Sequence, residues 1–263
     1  MPKTTLHLVR HAQGYHNLRQ ENHTLPDPLL TDLGRTQCTT LSTVFSHHAQ
    51  VTDIVSSPLR RTIYTALLSF PDEVQARSIP VVALPQLQET SDLPCDTGSA
   101  PDLLRREFEN GAEGGVVDLK REDRCAGAGG TGLVTGVRDK RAREMVEQKV
   151  VEDVESAEPH IVVVTHGGFL HYFTEDWEGH DGFLGTGWQN TEFRSYTFVT
   201  EGDGDEDASV VETAESRRRR SGKEIPLTRE EQTNLRRVAE KKWSDFGFQT
   251  PKETLTPENE KEG

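Results

Sequence analysis

The sequence predicts an α/β layer fold built on a largely parallel central sheet. Short β-branched runs alternate with segments whose apolar residues recur at helical spacing. One run, HIVVVTH at 160–166, is apolar without interruption, as a strand covered on both faces requires. Polar and cationic residues gather just after the expected strand ends, where open parallel sheets bind their ligands.

Along the chain, TTLHLV (4–9) reads as a short buried strand running into Arg10 and His11. Residues 33–49 carry Leu33, Leu41, Val44 and Phe45 at roughly helical spacing, with Thr31 or Asp32 as the N-cap. DIVSS (53–57) is a second strand, followed by Pro58 in the first turn of a helix, PLRRTIYTALLSF. IPVVAL (79–84) is a third strand, and 137–155 is expected to form the helix that precedes the strand at 160–166. RSYTFVT (194–200) fits an edge or final strand.

Two segments stand apart from this core. Residues 90–136 are rich in Gly, Asp and Ser and are expected to form a lid or mobile insertion; the glycine run AGAGGTGLVTG lacks phosphate-loop spacing. DLLRREFE within it reads as a short helix. Residues 1–200 are assigned to the catalytic domain and 201–263 to a charged tail. That tail holds an acidic run, the block Arg217–Arg220 and a short helical stretch that presents Leu235, Val238, Trp243 and Phe246.

Composition narrows the function classes. Over 263 residues, 30 Lys+Arg face 44 Asp+Glu, a formal net charge of −14 that disfavours nucleic-acid and anionic-membrane partners. Hydrophobic residues make up 33%, so part of the chain contributes no core. Three cysteines (38, 95, 125) with no CxxC spacing disfavour a disulfide scaffold and a cysteine zinc site. With no run of about 20 apolar residues, the expected location is cytoplasmic, and the four-arginine block adds a nuclear address as a second reading.

The chemistry is concentrated in four places. RHAQGYHN (10–17) follows the first strand, SSPLRRTIYTA (56–66) the second, Leu87-Gln88-Glu89 the third, and THGG (165–168) the fourth. Singly, each has an ordinary reading: His11 as a structural histidine, Arg60 and Arg61 as surface residues in a first helical turn, Glu89 as a loop carboxylate. Jointly, two histidines, arginines, an asparagine and a carboxylate at one sheet end compose a phosphoryl site. Arginine forks bind the oxygens, a neutral imidazole can attack phosphorus, and a carboxylic acid can protonate the departing oxygen.

These boxes resemble the histidine phosphatase superfamily and its phosphoglycerate mutase-like branch. RHAQGYHN is similar to the family's Arg-His-Gly box, with Ala12 where glycine is usual. SSPLRRTIYTA resembles its second arginine box in a register that selects Arg61, and VVVTHGG its second histidine box. DPLLTDLGRTQC (27–38) is similar to the family's Leu-Thr-x-x-Gly-x-x-Gln segment. The resemblance covers about residues 4–200 and implies a three-layer sandwich with a mostly parallel sheet flanked by helices. It further implies His11 as a nucleophile that becomes phosphohistidine. Arg10, Asn17, Arg61 and His166 would hold the phosphoryl group, and Glu89 would be the general acid, with Asp92 and Asp96 as rivals. The eight other histidines, His16 among them, are left as structural or surface groups. Neither a cofactor nor a metal is implied, because the arginines supply the positive charge.

The expected activity is therefore hydrolysis of a small phosphorylated metabolite. A phosphoglycerate mutase is the alternative, disfavoured because Asp92, Asp96 and Asp102 after Glu89 would repel a substrate carboxylate that Arg105 and Arg106 would have to counter. A non-catalytic phosphate-binding or interaction protein is a third reading, against which the intact His11, Arg10, Arg61 and His166 set argues.

Overall fold

A computed structural model describes residues 4–91, 93–109, 117–119, 158–180, 186–199, 209–222 and 225–247. Seven strands form one sheet: β1 (Thr5–Arg10), β2 (Val51–Ser56), β3 (Val81–Ala83), β4 (Val117–Asp118), β5 (His160–Thr165), β6 (Phe193–Phe198) and β7 (Val210–Glu212). Their order is β4-β3-β2-β5-β1-β6-β7. The first five run parallel, β6 is antiparallel to β1, and β7 is antiparallel to β6. The helices are α1 (Asp32–Val44), α2 (Arg60–Ser69), α3 (Pro101–Glu109), α4 (Gly167–Thr174), α5 (Ala214–Ser221) and α6 (Arg229–Asp245).

The apolar run of β5 is explained by two-sided burial. Val162 and Val164 join Val9, Ile54, Leu41, Ile63 and Phe108 in the core under α1, α2 and α3. Ile161 and Val163 point to the opposite face with Leu6, Leu8, Val55, Phe169 and Phe173. Helices on both faces of a mostly parallel sheet give the three layers that the family resemblance implied.

Register sets the site. β1 and β5 pair from Thr5↔His160 to Arg10↔Thr165, so His11 and His166 leave the sheet side by side. Ser56 lies opposite Val164 on one side and Ala83 on the other, which brings the exits of β2 and β3 to the same edge.

Several elements differ from expectation. The helix expected over 33–49 starts at Asp32, with the Thr31 hydroxyl accepting from the Gly34 amide, and stops at Val44 because Phe45 turns extended. Pro58 lies ahead of α2 rather than in its first turn, because the chain bends after β2 and Leu59 is still extended as the helix N-cap. Within 90–136, α3 is the short helix expected over DLLRREFE, whereas β4 is unexpected and extends the sheet beyond β3. The glycine run and the expected helix at 137–155 lie outside the described residues.

The largest correction concerns the C-terminal segment. The strand at 193–198 is interior, because β7, from the expected tail, pairs with it and takes the edge. Helix α6 buries Ala239 and Trp243 against Tyr172 and Trp177, while Val238 points outward. Three arginines of the four-arginine block are engaged by the fold. Arg217 pairs with Glu178 and Glu212, Arg220 with Asp176 and Glu212 (3.1 and 2.7 Å), and Arg219 lies 4.0 Å over the Phe193 ring. A charged composition hid this packing because Asp176 and Glu178, about 40 residues upstream, meet these arginines only in the folded chain. Among the described residues, no helix is long and apolar enough to cross a membrane.

Candidate active site

The loop that carries His11 is tied down on every side. The His11 amide donates to the Thr165 carbonyl (2.9 Å), the Ala12 amide to the Thr65 hydroxyl (3.0 Å), and the Gln13 amide to the Gln37 side chain (2.8 Å). The Thr31 amide donates to the Gln13 carbonyl (3.0 Å), and a Cβ on Gly34 would stand 2.2 Å from that same oxygen. Thr31, Gly34 and Gln37 thus all brace one loop, which explains the Leu-Thr-x-x-Gly-x-x-Gln pattern physically. Ala12 is buried and does not have a positive φ, so the missing glycine introduces no strain there.

The tautomer of His11 follows from its partner. Its Nδ1 lies 2.7 Å from the Ala12 carbonyl, which can only accept, so the proton sits on Nδ1 and the lone pair on Nε2. Burial, reinforced by Arg61, His166 and Arg10, drives its pKa well below the ordinary value, so the ring is neutral at pH 7.

Around it stand cations and further imidazoles. Arg10 donates to the Trp188 carbonyl (2.5 Å); burial lowers its pKa to about 10, which leaves it charged at pH 7. Arg61, 1% exposed, donates to the Cys95 carbonyl (2.6 Å), to Asp96 (2.7 Å) and to His166 Nδ1 (2.9 Å). Since a guanidinium only donates, His166 carries its proton on Nε2 and gives it to the Ser57 hydroxyl at 2.8 Å. The His166 and His16 ring centres lie 5.2 and 5.3 Å from that of His11. His16, left outside the site by sequence reasoning, is a buried wall of it.

Glu89 reaches the same cavity from the exit of β3. Its carboxylate accepts from the amides of Thr90, Gly168 and Phe169 at 2.8, 3.0 and 2.8 Å, capping the start of α4. Despite those amides its pKa is raised, chiefly by burial and next by the Asp96 charge. Gly168 permits the approach, because a Cβ there would meet Glu89 Oε1 at 2.7 Å. Of the rival acids, Asp96 is engaged with Arg61 and the Ser91 hydroxyl, and Asp92 lies outside the described residues. Asn17 lines the cavity and accepts from the Gly14 amide at 3.0 Å, closing the turn after His11.

The cavity measures about 560 Å³, and all six expected site residues line it or contact its lining. Sequence reasoning missed others. Asn190 donates to the His11 carbonyl (2.9 Å), and Trp243 and Phe246 from the C-terminal segment form part of the wall. The run Trp188-Gln189-Asn190 just before β6 was the available signal.

A sequence profile of the histidine phosphatase superfamily (branch 1) matches residues 6–206. The chain belongs to this superfamily. A probable phosphatase of Schizosaccharomyces pombe is 33% identical over 106 residues, 40% of this chain and 49% of the relative. The chain thus spans about half the length of the curated relative it matches. Solved structures with a similar fold include a mycobacterial glucosyl-3-phosphoglycerate phosphatase (19% identity, 79% of this chain, 96% of that one, TM-score 0.48). An Entamoeba histolytica phosphoserine phosphatase mutant with phosphoserine (19%, 80% and 95%, 0.48) and a Bacillus anthracis phosphoglycerate mutase (16%, 80% and 92%, 0.48) are others. The profile match spans all four boxes, so this member of the histidine phosphatase superfamily brings its Arg-His box, second arginine box and second histidine box to one sheet end.

Proposed function

We propose that the protein is a phosphomonoesterase that hydrolyses a small phosphorylated metabolite through phosphohistidine at His11. The observation that carries this reading is the His11 ring. It is neutral, pinned at Nδ1 by the Ala12 carbonyl and set among Arg10, Arg61 and His166.

In the proposed reaction Arg10, Arg61 and Asn17 receive the phosphoryl oxygens, and His166 joins them when its Nε2 proton exchanges the Ser57 hydroxyl for substrate. His11 Nε2 attacks phosphorus, the bond from phosphorus to the ester oxygen breaks, and Glu89 passes its proton to the departing alkoxide. Water then attacks the phosphohistidine and gives its proton to the Glu89 carboxylate. Phosphate leaves, and both residues are restored. The raised pKa of Glu89 suits the first step, and two guanidinium groups neutralise the equatorial charge without a required metal. Asp96 presently occupies one arm of Arg61, so substrate must share that guanidinium or displace the carboxylate. Trp243 and Phe246 give the outer cavity an apolar wall, which fits a leaving group with carbon surface.

The test is a phosphoenzyme trap. Wild type is expected to yield an acid-labile phosphoprotein, and His11→Ala to yield none while keeping its fold. Persistent labelling or turnover in the folded variant would remove His11 as nucleophile. Excess EDTA should leave turnover unchanged; loss restored by a divalent ion would overturn the metal-free reaction. With 3-phosphoglycerate primed by the bisphosphate, ³¹P NMR is expected to show little 2-phosphoglycerate, and rapid interconversion without free phosphate would establish the mutase instead.

A further inference from the structure

Three histidines meet at the amino end of the sheet, opposite the phosphoryl site. His7 stands in β1 between Leu6 and Leu8, His160 opens β5, and His47 lies in the connection from α1 to β2. One ring nitrogen from each falls within 4.8 Å of the others. His7 Nε2 and His160 Nδ1 are 3.0 Å apart, and the His7 and His47 rings stack at 4.7 Å. We propose that His7, His47 and His160 form a structural site for a divalent zinc-like ion, with its remaining coordination position open to water.

The donor chemistry fits. Three neutral imidazoles suit zinc, and an ion of this class holds nitrogen at about 2.0–2.1 Å, which puts tetrahedral ligand nitrogens roughly 3.4 Å apart. The His7–His160 pair needs to open only by a few tenths of an ångström. His47 supplies the larger adjustment: its ring, stacked on His7 at 25°, must turn so that its in-plane lone pair faces the ion, and it is half-buried on a connecting segment rather than locked in the sheet. His7 also has the supporting contact that ligating histidines use. Its Nδ1 lies 3.0 Å from the Ser195 hydroxyl, which leaves Nε2 to face the other two rings. Arg219 opposes an ion electrostatically at His7, whereas Glu158 favours one at His160.

Because the three ligands come from separate stretches of chain, an ion would pin β1, β5 and the α1–β2 connection together. The site is remote from the sheet end that carries His11 and His166, so its effect should fall on stability and spare turnover.

The experiment uses the untagged full chain, stripped with EDTA and titrated with Zn²⁺, followed by calorimetry, bound-metal analysis and thermal unfolding. One equivalent is expected to bind and to raise Tm by about 5 °C at saturating metal. Co²⁺ in place of Zn²⁺ should give the visible absorption of a tetrahedral nitrogen-ligated ion. His47→Ala and His160→Ala should each lose the equivalent, the absorption and the Tm rise, with aryl phosphate turnover unchanged. His16→Ala, altered in the phosphoryl cavity, should keep all three. Absence of zinc stabilisation in wild type would overturn the site. So would full binding by both His47→Ala and His160→Ala, which would place the ion among the cavity histidines.

Discussion

Replacing Gly168 with alanine isolates the role of Glu89 without touching its carboxyl chemistry. The new Cβ would stand 2.7 Å from Glu89 Oε1, 3.2 Å from its Cδ and 3.3 Å from Oε2. Moving the nearest oxygen to an ordinary contact of 3.4 Å requires a shift of about 0.7 Å. That shift also stretches the bonds from the Gly168 and Phe169 amides, which should cost roughly 1–2 kcal/mol of stability. A proton donor misplaced on this scale costs up to about 10²-fold in rate, or roughly 2.7 kcal/mol of barrier. The loss should depend on the leaving group. An alkyl phosphate, whose alkoxide needs the proton, should lose about 30- to 100-fold in kcat, and p-nitrophenyl phosphate less than about threefold. Steady-state kinetics on both substrates reads this directly. Gly98→Ala is the control, since its Cβ would meet nothing closer than 3.5 Å. Equal losses on the two substrates, or none on either, would refute Glu89 as the acid.

Four further outcomes are expected. The proposed reaction requires neutral His11 and protonated Glu89, whose pKa values are displaced downward and upward, so kcat/KM for alkyl phosphates should be bell-shaped. Glu89→Gln should lower the maximum and abolish the alkaline limb; a limb that persists would belong to another group. His7, His11, His16 and His171 all have folded pKa values below 6.5, so below that pH the unfolded chain binds more protons and stability must fall with acid. Each contributes roughly 1 kcal/mol per pH unit, and denaturant titrations at pH 7 and 5.5 should separate accordingly, whereas a flat profile would mean those rings are protonated in the native state. Deleting 201–263 removes β7 and the buried Trp243, so the truncated chain should lose several degrees of Tm; retention of wild-type Tm would make the segment dispensable. Phe246→Ala should raise KM for substrates with apolar leaving groups while leaving inorganic phosphate inhibition unaltered, and an equal effect on both would mean that the wall does not discriminate.

Legibility in the sequence followed the range of the interaction. His11 and His166 were readable because each stands where a short apolar run stops, and chain direction in a parallel sheet delivers such ends to one edge; Arg61, inside the first turn of α2, was chosen over Arg60 only by family likeness. Thr31 was readable as a cap because its hydroxyl binds an amide three residues away. The role proposed for Glu89 rested in the sequence on family likeness alone, since what distinguishes it, the amides of Gly168 and Phe169, lies about 80 positions along the chain. His16 and Asn190 could not be placed at all, and Trp243 and Phe246 were read only as a helix face that docks on the domain or on a partner, because no local pattern reports which surface a turn or a distant helix will cover. The C-terminal segment misled for a physical reason. Composition counts Arg217 and Arg220 as solvent-seeking charges, and only the folded chain brings Asp176 and Glu178 to them beside the nearby Glu212. Local periodicity and strand-end chemistry thus came from the sequence alone. The partners of each buried charge, the edge of the sheet and the walls of the cavity were decided by tertiary packing, which joins residues whose separation along the chain carries no signal.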